Sequence, residues 1–220
     1  LIPKLIFMFV LGGLQGLLGW YMVKSGLVND PHVSQYRLTA HLGLAVVIYT
    51  YMLWVALTLL YPKMERGFDK NKLASLSLII TGIIVITILS GGFVAGTRAG
   101  FAFNTFPLMN GQLIPDGLFM QSPLWKNFFE NIVTVQFDHR VMATLLFILT
   151  PIFWFKVMNS DSPALAKTGA HLLLAALVLQ ITLGISTLLL VVPVVLGAAH
   201  QAGAIVLLTA ALFLSQQLHR

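Results

Sequence analysis

The sequence predicts an all-α integral membrane protein with six transmembrane helices, and three observations carry that reading. Of 220 residues, 58% are hydrophobic and 9% are charged, where a soluble domain carries about 25% charge. Six separate stretches are apolar over the roughly 20 residues that a spanning helix needs. No ten-residue segments of alternating polarity mark a membrane barrel. Backbone groups in lipid must be satisfied within their own segment, so each stretch is read as helix. A mean hydropathy of +0.89 excludes a soluble globule and a disordered chain. The lack of cysteine excludes thiolate-bound zinc, iron–sulfur clusters, thiolate haem and thiol catalysis. The net charge of +6 comes from 13 basic and 7 acidic residues. The basic residues sit between apolar runs, so they speak for membrane topology and not for nucleic acid.

The six spans run over 3–24, 34–61, 73–96, 132–157, 165–190 and 194–216. The chain opens on Leu1 and enters an apolar run at Leu5, with no charged leader before it. It is therefore expected to start within a longer protein. A short turn around Pro193 separates the last two spans. Lys4, Lys63, Arg66, Lys70, Lys72, Lys156, Lys167 and Arg220 fall on one side. Lys24, Arg37, Arg98, Lys126 and Arg140 fall on the other. The richer side is expected to be the cytoplasm or mitochondrial matrix, with both termini there. The connection 97–131 lies outside and is far longer than an ordinary loop. It holds Phe101, Phe103, Phe106, Phe119, Trp125, Phe128 and Phe129. Disordered linkers are poor in aromatics, so a cap folded onto the outer interface is expected. A plain interfacial aromatic belt is the alternative.

A repeat runs through the spans. Leu14-Gln15-Gly16-Leu17-Leu18-Gly19 in the first and Leu179-Gln180-Ile181-Thr182-Leu183-Gly184 in the fifth both read L-Q-x-x-L-G. Each is followed by a helix with Ala-His near its outer end, at Ala40-His41 and Ala199-His200. The order of the two matches points to duplication. The third and fourth spans have no counterpart ahead of the first copy. The expected whole is a duplicated four-plus-four helix bundle of which six helices are present. Residues 1–61 then form a partial N-terminal half, 62–72 a cytoplasmic loop, and 73–220 the C-terminal four-helix half.

Three of the six histidines share a depth. His41, His139 and His200 each lie some six or seven residues from the outer start of a helix, about 9–11 Å deep at 1.5 Å per residue. His171 enters from the inner side, His32 is in an outer loop and His219 is near the end. An ionisable residue inside a membrane helix is a functional candidate; a neutral histidine bonded across helices is the plainer alternative. Zinc would ask for three or four ligands, while haem iron takes one or two imidazoles. Gly91, Gly92, Gly96, Gly100, Gly197 and Gly203 would let a porphyrin approach, or serve close helix packing. Arg140, beside His139, and Arg37, one turn before His41, would pair with propionates or snorkel to the interface.

Longer motifs carry a family resemblance. They are Gln15-Gly16-Leu17-Leu18-Gly19-Trp20-Tyr21-Met22-Val23-Lys24-Ser25-Gly26-Leu27, the run from Tyr36 to His41, and Gly92-Phe93-Val94-Ala95-Gly96. Ala99-Gly100, Asn104-Thr105-Phe106-Pro107-Leu108-Met109, Asn127-Phe128-Phe129-Glu130-Asn131, Val135-Gln136-Phe137-Asp138-His139-Arg140 and His200-Gln201 complete the set. In these the chain resembles the haem A synthase family in its alphaproteobacterial and mitochondrial form, over essentially its whole length. The resemblance implies eight helices in two halves. It implies haem b held between His139 and His200 as iron ligands, and haem O as substrate with His41 as a ligand. A second substrate-site histidine and a catalytic glutamate would lie on a helix outside this chain. The implied reaction turns the C8 methyl of haem O into a formyl group, giving haem A for terminal cytochrome oxidase. A haem O synthase and a separate electron donor, ferredoxin-like or other, would be partners, in a bacterial plasma membrane or mitochondrial inner membrane; a homo-oligomer stays open. Two departures stand out. Thr97-Arg98-Ala99-Gly100 replaces the usual Leu-Asp-Ala-Gly, reversing a charge, and Thr105 replaces serine. The cysteine pair of one branch is absent from this chain or lies in the part outside it. A di-haem electron-transfer protein of cytochrome b type is the alternative, and a transporter the third reading. A transporter's site would lie nearer the bilayer midplane, at broken helices.

Overall fold

The computed structural model describes residues 1–24, 32–62 and 71–219, the side chain of Asn71 excepted. Ser25-Gly26-Leu27 of the first motif, and Lys63, Arg66, Lys70 and Arg220 of the charge count, lie outside the described residues. The helices are α1 (Ile2–Val23), α2 (Gln35–Leu60), α3 (Asn71–Gly96), the short α4 (Asn127–Glu130), α5 (Ile132–Met158), α6 (Ala164–Leu189) and α7 (Val194–His219). All but α4 contain a stretch long and apolar enough to cross a membrane. The chain is an all-α, multi-pass membrane protein.

Local chemistry sets the ends. Pro3 stands in the first turn of α1, where a missing N–H costs nothing. Asn131 caps α5, its side-chain oxygen accepting from the amides of Val133 and Thr134. Arg98 takes a left-handed conformation, φ 58°, just after α3. The turn from α6 to α7 uses two left-handed valines, Val191 and Val192, before Pro193.

Four helices close a ring of contacts: α3 on α5, α5 on α6, α6 on α7, and α7 back on α3. Helix α2 packs outside it on α3 and α7, and α1 packs on α2. Tyr49 of α2 and Thr209 of α7 share a 2.6 Å hydrogen bond, and Gln216 of α7 donates to the carbonyl of Tyr61 at 3.1 Å. The ring is packed unevenly. Its buried apolar residues include Ile80, Ile84, Phe153, Val157, Leu173, Leu177, Leu208 and Leu214. These cluster in the half nearest the α5–α6 turn. The other half, where α5 and α7 begin, buries fewer side chains, Thr134, Val135, Gln136 and Thr187 among them. That end is covered by residues 97–131.

The covering segment is folded. It contains 3-10 turns at Ala99–Phe101 and Leu124–Lys126, a bridge between Met109 and Gln112, and α4. Asn127 is fully buried; its amide donates to the carbonyls of Gln121 and Leu124. Asn131, one turn on, donates to the carbonyl of Gly117 and to Oδ1 of Asn127. Phe93, Phe129, Tyr36 and Trp125 stack beside them, with the first pair 5.0 Å apart. Tyr36 donates to Glu130 at 2.7 Å and so ties α2 to α4.

Candidate functional site

Two of the three histidines meet. His139 on α5 and His200 on α7 face one another in the half of the ring beneath the covering segment, with ring centroids 6.4 Å apart and planes at 81°. Two imidazoles sharing one metal at a bond of about 2.0–2.1 Å each place their ring centres about 6 Å apart. The spacing therefore fits one metal ion between them. Among the described residues no three His, Cys, Asp or Glu side chains converge, so zinc would be short of ligands. A pair of imidazoles on which, among the described residues, no carboxylate or thiolate converges suits haem iron, which His139 and His200 would hold.

Each ring rests on a glycine. A methyl at Gly91 would stand 3.3 Å from Cε1 of His139, and one at Gly184 would stand 2.8 Å from Cε1 of His200. Ser90, beside Gly91, lies 2.8 Å from Nδ1 of His139. Gln180, one turn from Gly184, donates its amide to the carbonyl of His200 at 3.0 Å. The Oε1 atom of Gln180 packs on Gly203, where no side chain would fit beside it.

His41 does not join this pair. It sits between α1 and α2 in surroundings that copy those of His200. Gln15 donates to the carbonyl of His41 at 3.1 Å. A methyl at Gly19 would stand 3.0 Å from its Cε1. The L-Q-x-x-L-G repeat thus has a physical content. Residues four apart share a helix face. The glutamine grips the main chain of a histidine on the next helix, and the glycine makes room for its ring. In the first copy the Gln15 amide also reaches Nε2 of His41, at 3.4 Å.

Arg140 faces the covering segment. Its guanidinium donates to the carbonyls of Thr105 and Phe103, each at 2.9 Å, and to Oε1 of Gln136 at 3.2 Å. Gln136 in turn donates to the carbonyl of Ala99 at 2.7 Å. From the other wall, Asn104 donates to the carbonyl of Leu188 at the end of α6. Residues 99–105 are therefore fastened to both α5 and α6 above the histidine pair. Arg37 is likewise engaged, on the carbonyl and ring of Tyr21. Of the glycines expected to form a porphyrin wall, Gly91 does lie against a histidine. Gly92 meets Thr39 and Leu42, Gly96 meets Gln35, and Gly100 meets Val192, all as close packing. Gly197 faces open space. Gly19, Gly184 and Ser90 were not singled out for the site. The first two were visible as the last letter of the repeat, and the third as a hydroxyl next to a glycine pair. The remaining three histidines are elsewhere: His171 accepts from Trp154 at 3.1 Å, His219 packs edge-on against Trp54, and His32 lies ahead of α2.

A family model described as cytochrome oxidase assembly protein matches residues 1–212. The chain belongs to that family, COX15-CtaA. It is similar to the heme A synthase of Nitrosospira multiformis, with 58% identity over 99% of this chain. It is also similar to heme A synthase COX15 of Arabidopsis thaliana and of Homo sapiens, each at 45% identity over 97% and 94% of this chain. It spans 62%, 49% and 52% of those three proteins. None of these three family members is named as an electron-transfer cytochrome.

Proposed function

We propose that the chain is haem A synthase machinery, acting where the C8 methyl of haem O becomes the formyl group of haem A. The observation that carries the proposal is the facing of His139 and His200, each on a glycine, with a third histidine, His41, held elsewhere as His200 is. In this reading 73–220 is the half that holds haem b and 1–61 is part of the half that takes haem O, with 62–72 as the cytoplasmic link. His139 and His200 hold haem b, which supplies a one-electron iron couple when bound. His41 holds the substrate. The glycines let the rings lie flat against a helix backbone, and the stitched cap keeps water from the outer end. Arg140 serves that cap first. Its buried Nε has no partner and is the donor left for a haem propionate. The chain holds no nicotinamide or flavin fingerprint, so electrons come from a separate donor. A haem O synthase supplies the substrate. The membrane is a bacterial plasma membrane or the mitochondrial inner membrane, with both ends of the chain on the cytoplasmic or matrix face.

The test is a pyridine haemochrome spectrum of the full chain co-expressed with a haem O synthase. Haem B in the wild type, lost in both His139→Ala and His200→Ala and kept in His41→Ala, is the expected pattern. A low-spin band that survives in both of the first two variants would overturn the ligand assignment. Loss of all haem in His41→Ala would overturn the division into two sites.

A further inference from the structure

The two facing histidines each have a main-chain carbonyl of the glycine-bearing helix beside the ring, Thr87 for His139 and Gln180 for His200, and differ in their other partners. His200 is gripped through its main chain, by Gln180. His139 is gripped through its ring. Nδ1 of His139 is 2.8 Å from Oγ of Ser90, and the same Oγ is 2.8 Å from the carbonyl oxygen of Thr87. A serine hydroxyl has one hydrogen. The Thr87 carbonyl can only accept, and it lies beside both the hydroxyl and the His139 ring; with the hydroxyl hydrogen turned to it, Oγ is left as an acceptor. Oγ must then accept from the ring, which places the ring proton on Nδ1. A neutral imidazole protonated at Nδ1 carries its free lone pair on Nε2. The short chain of bonds therefore fixes one tautomer.

We propose that Ser90 is a positioning residue that holds His139 with its proton on Nδ1 and its Nε2 lone pair free for iron. The proposal rests on the haem reading above. It assigns a role to a residue that touches neither the iron position nor the substrate. A ligating histidine commonly gives its second N–H to an acceptor, which fixes the ring and makes it a stronger donor to the metal. Here one acceptor is a side chain, so it can be exchanged without moving the backbone, while the Thr87 carbonyl beside the ring stays in place. The helix supports the arrangement, since a hydroxyl that bonds back to the carbonyl three residues earlier is held in one rotamer. Gly91 next door leaves the ring space to reach it. Among the described residues no side-chain hydroxyl does this for His200.

The sign of the effect follows. Removing the acceptor weakens the donor strength of the imidazole, which disfavours ferric iron and raises the midpoint potential. Ser90→Ala in the full chain is expected to keep its haem, to raise the potential, and to shift the electron paramagnetic resonance of the ferric low-spin form. Ser90→Thr restores both readings, because threonine in a helix makes the same bond back to a carbonyl. A purely packing role would leave the potential unmoved as long as haem is bound. Ser90→Ala with full haem and an unchanged potential and spectrum would overturn the proposal. So would loss of haem in Ser90→Ala that Ser90→Thr does not restore. His139→Ala separates the two ideas. If it keeps the low-spin band, the haem reading fails; if it loses the band while Ser90→Ala changes nothing, only the role of Ser90 fails.

Discussion

Gly184 lies so close under His200 that a methyl group in its place would stand 2.8 Å from Cε1 of the ring. The imidazole is part of a helix–helix contact, so there is no slack to absorb a side chain. Gly184→Ala is expected to turn the ring and remove the low-spin haem signal. Gly16→Ala is the control, because nothing lies within 4 Å of that position. Overpacking of this kind costs about 1–3 kcal/mol, so the variant should still fold. An unchanged spectrum in Gly184→Ala would mean that the ring can move freely.

Gln180 and Gly203 form a coupled pair, since the amide oxygen occupies the space of the absent side chain. Gly203→Ala should push the amide away and break its bond to the His200 carbonyl, at a cost of about 0.5–1.5 kcal/mol. In a Gln180→Ala background the same change should cost almost nothing. Thermal unfolding followed by helix signal gives the double-mutant cycle. Simple additivity of the two changes would show that they act apart.

Arg140 and Gln136 grip three main-chain carbonyls of the cap. Arg140→Met should free the carbonyls of Phe103 and Thr105, worth on the order of 1–3 kcal/mol if they stay buried. Faster hydrogen exchange over 101–106 is the expected readout. Arg140→Lys should only partly rescue it, as an ammonium cannot fork across two acceptors. Unaltered exchange in the methionine variant would shift the hold on the cap to Asn104.

Asn131 has two tasks. Its oxygen caps α5 and its nitrogen ties α5 to Gly117 and Asn127. Asn131→Asp keeps the first task and loses the second. Loss of the cap in Asn131→Ala should cost about 1 kcal/mol, and loss of both tasks more. The melting temperature should therefore fall in the order wild type, Asp, Ala. An equal fall for Asp and Ala would leave the cap without weight.

The six spans were legible because length and hydropathy suffice for them. The expected 132–157 became Ile132–Met158, and 165–190 became Ala164–Leu189. The shared depth of His41, His139 and His200 was legible for the same reason, since depth along a helix is a count of residues. Rotation about the helix axis was not. In a chain 58% hydrophobic, residues facing lipid and residues facing the bundle have the same polarity, so no amphipathic stripe reports the facing. Gly92 and Gly96, which in sequence allow either porphyrin approach or helix packing, thus turn out to receive α2. Arg140 stood beside a histidine in sequence, yet its reach is spent on carbonyls some 35 residues away. The motif Asn127-Phe128-Phe129-Glu130-Asn131 was visible as a pattern, but its meaning as a knot of main-chain bonds appears only when Gln121 and Gly117 are brought beside it.

The cap is held by side chains reaching for main-chain oxygens, Gln136 and Arg140 from α5 to the loop and Asn104 from the loop to the end of α6. A carbonyl is the same on every residue, so this fastening reads the path of the chain and not its spelling. Phe103 and Thr105 offer only their carbonyls to Arg140. The outer surface of the loop can therefore drift in sequence, and adapt to different lipids or neighbours, while the lid over the histidines stays shut. The burden of constancy falls on Gln136, Arg140 and Asn104, whose side chains do the gripping.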